Sequence, residues 1–420
     1  MARKGKQGVQ PVARHGALRR RSGWRALLTF LAAFFAVITV SIASVALFAV
    51  WQFQDGLDVV DIGGGEDVPP PSVGAYPGGF NVLIVGSDTR VDQGGLGGED
   101  PGSTLNDVNI LLHVSADHSR AIAVSIPRDL VIPFPECVNE DTGETFPASP
   151  AEPINEALQR GGLACAVATV EDLSGLEIQF AGLVTFEGVV GMSDAVGGVP
   201  VCITAPINDP RSGLVLEEAG EHLLSGRDAL AFLRTRHGVG DGSDLGRISS
   251  QQVFLSSLVR KLKSNETLSN PVRLYELARV VRDNMTLSSS MASVDTLVAL
   301  AMALKDVELE NVLFVQYPTF YRETDPWFGK LAPENAVASA LFAAISADEP
   351  FGLGSQEERP GAVADPDAPE ETAEPDPDEG EGSTATPTPS ESATPDPEPP
   401  TIEGLPGQTA AERTCSVASG

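Results

Sequence analysis

Leu27–Val50 runs for twenty-four residues without a charge, apolar almost throughout and flanked by Trp24 and Trp51. At about 1.5 Å of rise per residue, a helix of that length crosses a ~30 Å hydrocarbon core with some tilt. The chain is therefore expected to divide here. The first 26 residues carry eight Lys and Arg and no acid. Positive charge concentrated on the N-terminal side predicts a cytoplasmic segment 1–26, a transmembrane helix 27–50 and an extracytoplasmic remainder. The two tryptophans suit the interfacial belts. The apolar region of a cleaved signal peptide is shorter, roughly 7–15 residues, so a single-pass anchor in the cell membrane is the expected reading.

Residues 51–79 are rich in Gly, Pro and Asp, lack periodicity and read as a linker. From residue 80 to 350 the pattern is that of one folded domain. Short apolar runs rich in β-branched residues predict strands at Phe80–Val85, Asp107–Ser115, Ala121–Ile126, Ile178–Phe186, Val199–Ile203 and Asn311–Tyr317. Helix-length stretches lie between and after them, at Ile154–Leu173, Glu187–Val196, Arg227–Leu233, Arg247–Leu262, Pro271–Val281, Ala292–Leu304 and Pro333–Ile345. Strands interleaved with helices predict an α/β fold, a single α/β/α sandwich with a central mixed sheet. Residues 351–420 form an acidic tail: 355–404 hold 15 acidic residues and one Arg among many Pro, Thr and Ser. Such composition buries too little apolar surface to offset ordering entropy, so disorder is expected there. Gly404–Gly420 regains apolar character and could dock back.

Cys137, Cys165, Cys202 and Cys415 are an even number in the portion expected outside the cell, which favours two disulfides with three possible connectivities. Cys137–Cys165 would staple a Pro-rich loop, and Cys202–Cys415 would tie down the C-terminus. No CxxC or Cys/His spacing suggests zinc.

Charge narrows the function. Residues 55–354 hold 18 Lys and Arg against 42 Asp and Glu, a poor surface for nucleic acid. Against that background the segment Arg234-Thr-Arg236-His-Gly-Val-Gly-Asp241-Gly-Ser-Asp244-Leu-Gly-Arg247-Ile-Ser-Ser-Gln251-Gln252 is distinctive. Guanidinium groups gathered in this way suit a phosphate-rich ligand, which they grip bidentately. Asp244, Arg247 and Gln251 fall at helical spacings of three and four and share a face. Ile248, Leu255, Leu258 and Leu262 form the opposite stripe, expected to pack to the core. Arg234 and Arg236 alternate, so an extended backbone would aim both the same way. His237 is expected to be structural or exposed.

Three strand ends add to the constellation. Asn81–Val85 runs into Gly86-Ser-Asp88-Thr-Arg90, and ligand groups in α/β sheets gather just past such ends. Asp107 opens the next strand, and Asp88 with Asp107 could coordinate Mg²⁺, which takes one or two carboxylates with water and phosphate oxygens. His113, inside that apolar strand, reads as a satisfied core histidine. Ser125-Ile-Pro127-Arg128-Asp129 closes the third strand. Pro127 ends the ladder and directs Arg128 towards phosphate, with Asp129 placed to orient it.

The order Gly-Ser-Asp-x-Arg (86–90), Asp-Val-Asn-x-Leu-Leu (107–112), Ser-Ile-Pro-Arg-Asp (125–129), Ile-Asn-Glu-Ala (154–157) with Gly-Gly (161–162), Gly-Gly-Val (197–199), Arg-x-Arg (234–236) and Asp-Leu-Gly-Arg-x-x-x-Gln-Gln (244–252) resembles the LytR-CpsA-Psr family. The resemblance implies a phosphotransferase of the cell envelope, moving a glycopolymer with its linking phosphate from polyprenyl pyrophosphate onto peptidoglycan. By similarity, Asp88 and Asp107 would hold Mg²⁺, and Arg90, Arg128, Arg234, Arg236 and Gln251 would bind the pyrophosphate, supported by Asp244 and Arg247. Asp88 and Arg128 are the candidate catalytic residues, Asp88 as acceptor of the attacking hydroxyl's proton. An apolar groove would house the lipid tail. Two positions depart from the family pattern, Leu105 in place of Arg and Pro153 in place of Lys, with Arg90 or Arg211 able to compensate. The alternatives are a Mg²⁺-dependent polyprenyl pyrophosphate hydrolase and a non-catalytic envelope protein that binds lipid-linked glycopolymer.

Overall fold

Phe80, Val82 and Ile84 alternate along one strand with Leu83 and Val85, and four of these five side chains are buried. A strand that is apolar on both faces needs cover on both. The computed structural model, which describes residues 23–54, 58–62, 75–87, 104–139, 142–264, 271–354, 361–366, 368 and 399–419, supplies it. The chain divides into two units, residues 1–52 and 53–420. The first contributes helix α1, Gly23–Gln54. Among the described residues no helix is long and apolar enough to cross a membrane; the side chains of α1 are described without interruption only over 27–41.

In the second unit the central sheet has eight strands, numbered here in chain order: β1 Asp58–Val60, β2 Phe80–Ser87, β3 Asn106–Val114, β4 Ala121–Ile126, β5 Phe180–Val184, β6 Met285–Ser288, β7 Val312–Gln316 and β8 Gly407–Thr409. Their spatial order is β1-β6-β5-β2-β3-β4-β7-β8. β1/β6, β2/β5 and β4/β7 pair in parallel and the other neighbours antiparallel, so the sheet is mixed. β2, β4, β5 and β7 share a direction, and their C-terminal ends line one edge. Helices α2 (Ala157–Ser174) and α8 (Asn335–Ser346) cover the face carrying Leu83, Val85, Leu111 and Val124. On the other face, Phe80, Val82, Ile110 and Ala123 meet α7 (Val294–Lys305). A third apolar cluster joins α4 (Gly226–Arg234) and α5 (Asp244–Lys263) to a four-stranded sheet containing Val199–Ile203. α3 (Phe186–Ala195) packs on α4 and on α6 (Pro271–Asn284).

The linker reading of 51–79 needs correction at residues 58–60 and 75–79; residues 55–57 and 63–74 lie outside the described residues. Asp58–Val60 joins the sheet edge, and Tyr76, 5% exposed, meets Phe80 and Phe180 edge-to-face. Two aromatic partners fix Tyr76 to the fold. The expected disorder of 355–404 falls mainly on residues 355–360, 367 and 369–398, which lie outside the described residues. The described remainder is ordered: Ala362–Ala364 pairs with Thr414–Ser416, and Thr401–Ile402 with Gly352–Leu353. The folded unit thus continues beyond 350. β8 extends the central sheet, and Leu405 and Ala410 bury their side chains in it.

Both expected disulfides are present, Cys137–Cys165 and Cys202–Cys415. The first explains the Gly161-Gly162 pair. A Cβ at Gly161 would lie 2.7 Å from the Cβ of Cys165 and 3.0 Å from that of Cys137, while Gly162 takes φ +66° where α2 kinks.

Helix α5 departs most from its sequence reading. Leu255, Leu258 and Leu262 line a cavity, and only Ile248 of the apolar stripe is fully buried. The other side of the helix is a buried polar seam against β7 and the C-terminal strands. Ser250 and Ser416 hydroxyls lie 2.7 Å apart, Gln408 Nε2 donates to Ser256 Oγ at 2.9 Å, and Gln316 Nε2 to Ser249 Oγ at 2.8 Å.

Candidate active site

The shared edge of β2, β4 and β5 opens on a cavity of about 600 Å³. Its apolar lining is formed by Val189 and Met192 of α3, Leu230 and Leu233 of α4, Leu255, Leu258 and Leu262 of α5, and Leu277 and Val281 of α6. Its polar lining contains Arg128, Arg211, Arg234, Arg236 and Arg247 with Asp107 and Asp209. A ligand here meets both hydrocarbon and a cluster of guanidinium groups within one cavity.

Local structure sets each group. β4 stops at Ile126 because Pro127 cannot donate to the ladder, and Arg128 follows at once. Its Nη1 donates to Asp107 Oδ1, and its Nε lies 3.8 Å from Asp244 Oδ1. Asp107 is the second residue of β3, fixed by its neighbour Asn106. That fully buried amide donates to Asn109 Oδ1 at 2.6 Å and to the Ile154 carbonyl at 3.0 Å, and accepts from the Leu158 amide at 3.2 Å.

Asp244 begins α5, after Ser243 caps the helix by accepting from the Gly246 amide. Only 8% exposed, Asp244 accepts from Arg236 Nη2 at 3.0 Å and lies 2.5 Å from Arg247 Nη2. One carboxylate therefore gathers three guanidinium groups. Burial would pull the Arg128 pKa down, but Asp107 and Asp244 outweigh it and hold the group above its ordinary value. For Arg247, 5% exposed, burial wins and the pKa falls, with Asp244 opposing. Arg128 Nε, Arg247 Nε and Asp244 Oδ2 are buried with no hydrogen-bond partner.

Several expectations are met differently from how they were drawn. Arg234 and Arg236 do line one cavity, yet not from an extended stretch: Arg234 ends α4, its guanidinium 4.5 Å over the Phe186 ring, and Arg236 follows the Thr235 cap. Gln251 lines the cavity but also donates to the Leu233 carbonyl at 2.8 Å, tying α5 to α4. Asp129 does not orient Arg128. It pairs with Lys330 at 2.5 Å, and that contact, against the opposing effect of burial, holds its carboxyl below the usual range. His113 meets Asn81 Oδ1 at 2.9 Å inside β3, and His237 is exposed beside Arg211. Pro153 ends a strand paired with Val131. Asp88 and Arg90 lie outside the described residues.

Sequence reasoning missed Asp209. It is 2% exposed and accepts from the Thr235 hydroxyl at 2.6 Å and from the Arg211 amide at 3.0 Å. Burial raises its pKa, but these donors hold it below the ordinary value. The side chain thus ties Arg211 to the Arg234–Arg236 segment. The threonine between two arginines was the available signal. Phe186 was missed as well, its place being set by α3 starting directly after β5.

A sequence profile of the LytR_cpsA_psr family matches residues 64–330. The cell wall biosynthesis protein LcpA of Corynebacterium glutamicum is 30% identical over 312 residues, covering 68% of this chain and 58% of that protein. The polyisoprenyl-teichoic acid–peptidoglycan teichoic acid transferase TagT of Bacillus subtilis is 26% identical over 234 residues, 54% of this chain and 66% of that one. The chain spans less than two-thirds of the length of either relative. Among solved structures, a LytR-Csp2A-Psr enzyme from Actinomyces oris shares the fold with a TM-score of 0.50 at 24% identity, over 69% of this chain and 95% of that one. With 267 of its 420 residues inside the family profile, and a fold shared with a solved relative, the chain belongs to the LytR_cpsA_psr family.

Proposed function

We propose that this protein is a phosphotransferase that takes a glycopolymer with its linking phosphate from polyprenyl pyrophosphate and joins it to peptidoglycan. The observation that carries the reading is a single cavity lined by both hydrocarbon side chains and five arginines. Polyprenyl pyrophosphate is a ligand of the same two characters. The buried Nε donors of Arg128 and Arg247 suit an anionic acceptor. The activity named for TagT supports the reaction class.

In the reaction, Arg128, Arg236 and Arg247 neutralise pyrophosphate oxygens while Asp244 keeps the three together. Preorganised charge of this kind serves phosphoryl transfer, where the developing negative charge lies on oxygen. Arg234, stacked on Phe186, and Arg211 extend the positive lining and supply charge that Leu105 and Pro153 do not. A sugar hydroxyl of the acceptor attacks the phosphorus bonded to the glycopolymer. The bond to the bridging oxygen breaks, and polyprenyl phosphate leaves with the electron pair. Asp88 is our candidate for accepting the hydroxyl proton in a site where it does not hold the metal, since a carboxylate bound to Mg²⁺ is a weak base. Asp107 contributes to the lining a carboxylate of the kind Mg²⁺ takes together with phosphate oxygens. Asp88 and Asp107 would hold the ion, which when bound would add further charge neutralisation at the pyrophosphate.

We also propose that α1 anchors the protein in the cell membrane with residues 1–26 in the cytoplasm. Trp24, Phe30, Phe35 and Leu47 are each at least 62% exposed on this helix, a surface that suits lipid. The test is turnover. Full-length protein with Mg²⁺ and a polyprenyl-pyrophosphate-linked glycan should release polyprenyl phosphate and couple the glycan to added peptidoglycan chains. Arg128→Ala should lower the rate by on the order of a hundredfold or more. Release without coupling, at a rate the acceptor does not change, would replace the transferase reading with the hydrolase.

A further inference from the structure

Outside α1, the described aromatic side chains with large exposed surface all fall in one hairpin: Phe320 at 50%, Tyr321 at 47% and Phe328 at 71%. Its strands are Thr319–Tyr321 and Leu331–Pro333. The turn between them is held by the Gly329 amide donating to the Arg322 carbonyl at 2.9 Å and the Lys330 amide to the Trp327 carbonyl at 3.1 Å. The hairpin is fixed to the residue after Arg128: the Leu331 amide donates to the Asp129 carbonyl at 3.1 Å, and Lys330 Nζ lies 2.5 Å from Asp129 Oδ1. The hairpin that carries this aromatic surface is therefore anchored, through Lys330 and Leu331, to the residue that follows Arg128.

Pro333, at the hairpin's end, also lines a second cavity, of about 510 Å³, between the end of α2 and α8. The two cavities share no lining residue. This one is mixed in character. Phe342 and Tyr317 contribute apolar surface, while Ser174, Asn335 and Ser339 contribute hydroxyl and amide groups. Tyr317 is 3% exposed, no described residue hydrogen-bonds its phenol oxygen, and burial pushes its pKa up to about 12, so it stays a neutral donor. Aromatic faces beside amides and hydroxyls suit sugar rings, whose C–H faces stack on aromatics while their hydroxyls take hydrogen bonds. In the same hairpin Glu323 and Asp325 balance Arg322 and Lys330, and Lys330 is paired with Asp129, so the hairpin presents no net positive charge to draw it to an anionic bilayer.

We propose that the hairpin 319–333 and the adjoining groove between α2 and α8 form the docking surface for the acceptor glycan strand, bringing its sugar hydroxyl to Arg128 along a flank separate from the lipid cavity. This rests on the transferase reading above. The chain has three tryptophans, so full-length protein carrying Trp24→Phe and Trp51→Phe reports on Trp327 alone, within the hairpin turn. Titration with soluble, uncrosslinked peptidoglycan glycan chains should change its emission saturably. Phe320→Ala with Phe328→Ala should raise the half-saturation concentration on the order of tenfold, and Asn335→Ala should raise it independently. Binding of polyprenyl pyrophosphate should stay at the parent value in both variants. Glycan titration unaffected by either variant would overturn the proposal, as would quenching of Trp327 by brominated anionic lipid vesicles in place of a response to glycan. Glycan binding lost as expected, in a parent that never turns over the lipid substrate, would sink the transferase reading and leave the docking surface standing.

Discussion

Asp244 bears more of the site's geometry than any group expected to touch phosphate. Its carboxylate faces Arg128, Arg236 and Arg247, and at 8% exposure it has little solvent to share the work. Removing one member of a buried ionic cluster leaves the others uncompensated, at a cost of about 3–5 kcal/mol. Asp244→Asn should therefore lower the stability measured by urea unfolding by an amount in that range. Arg279→Ala, at a pair where the arginine is 65% exposed, should cost less than about 1 kcal/mol. Equal losses in the two variants would contradict the assignment. His113 gives a prediction in pH. Burial lowers its pKa from 6.5, opposed by Asp348, so the folded state binds fewer protons than the unfolded one. Its contribution to stability is complete above pH 6.5 and is lost as pH falls through the lowered folded value. Between pH 7.5 and 5, the melting temperature of the parent should fall further than that of His113→Asn, and parallel curves would refute the point.

At the scale of elements, the site depends on a segment distant in sequence. The Gly240 amide donates to the Val417 carbonyl at 2.7 Å and the Ser419 amide to the Gly238 carbonyl at 3.1 Å, so the C-terminal strand holds the loop that leads from Arg236 to Asp244. Cys202–Cys415, 213 residues apart, fastens that strand. Replacing both cysteines by alanine should cost about 2–5 kcal/mol and also weaken binding of inorganic pyrophosphate, measured by calorimetry. Replacing Cys137 and Cys165 should lower stability but leave that affinity unchanged. Elements also differ in how legible they were from sequence. β2, β3 and β4 were readable because each is built around an apolar run rich in β-branched residues, and Arg128 because Pro127 announces a strand end. The polar seam of α5 was not: Ser249, Ser250 and Ser256 look like a solvated face until Gln316, Gln408 and Ser416 arrive from elsewhere in the chain. β1 and β8 were missed for a related reason. Asp58–Val60 and Gly407–Thr409 are three-residue strands made by their partners rather than by their own pattern. Asp209 had only Thr235 to announce it, since its role exists where two loops meet.

On the scale of the molecule, a chain of net charge −30 collects five arginines at one cavity. Local concentration of charge against an opposing background favours a small, highly charged anion over an extended polyanion. The same cavity is also lined by apolar residues of α3, α4, α5 and α6, and that combination is the central claim proposed here: lipid and pyrophosphate occupy one continuous site. Photo-crosslinking tests it most directly. Full-length protein would be irradiated with a polyprenyl pyrophosphate bearing a diazirine within the isoprenoid chain, and the adducts mapped by mass spectrometry. Adducts on Val189, Leu230, Leu258 or Leu277, competed by unlabelled polyprenyl pyrophosphate and reduced in Arg128→Ala with Arg247→Ala, are the predicted result. Adducts confined to α1 or to the groove between α2 and α8, with no label in the arginine-lined cavity, would contradict it.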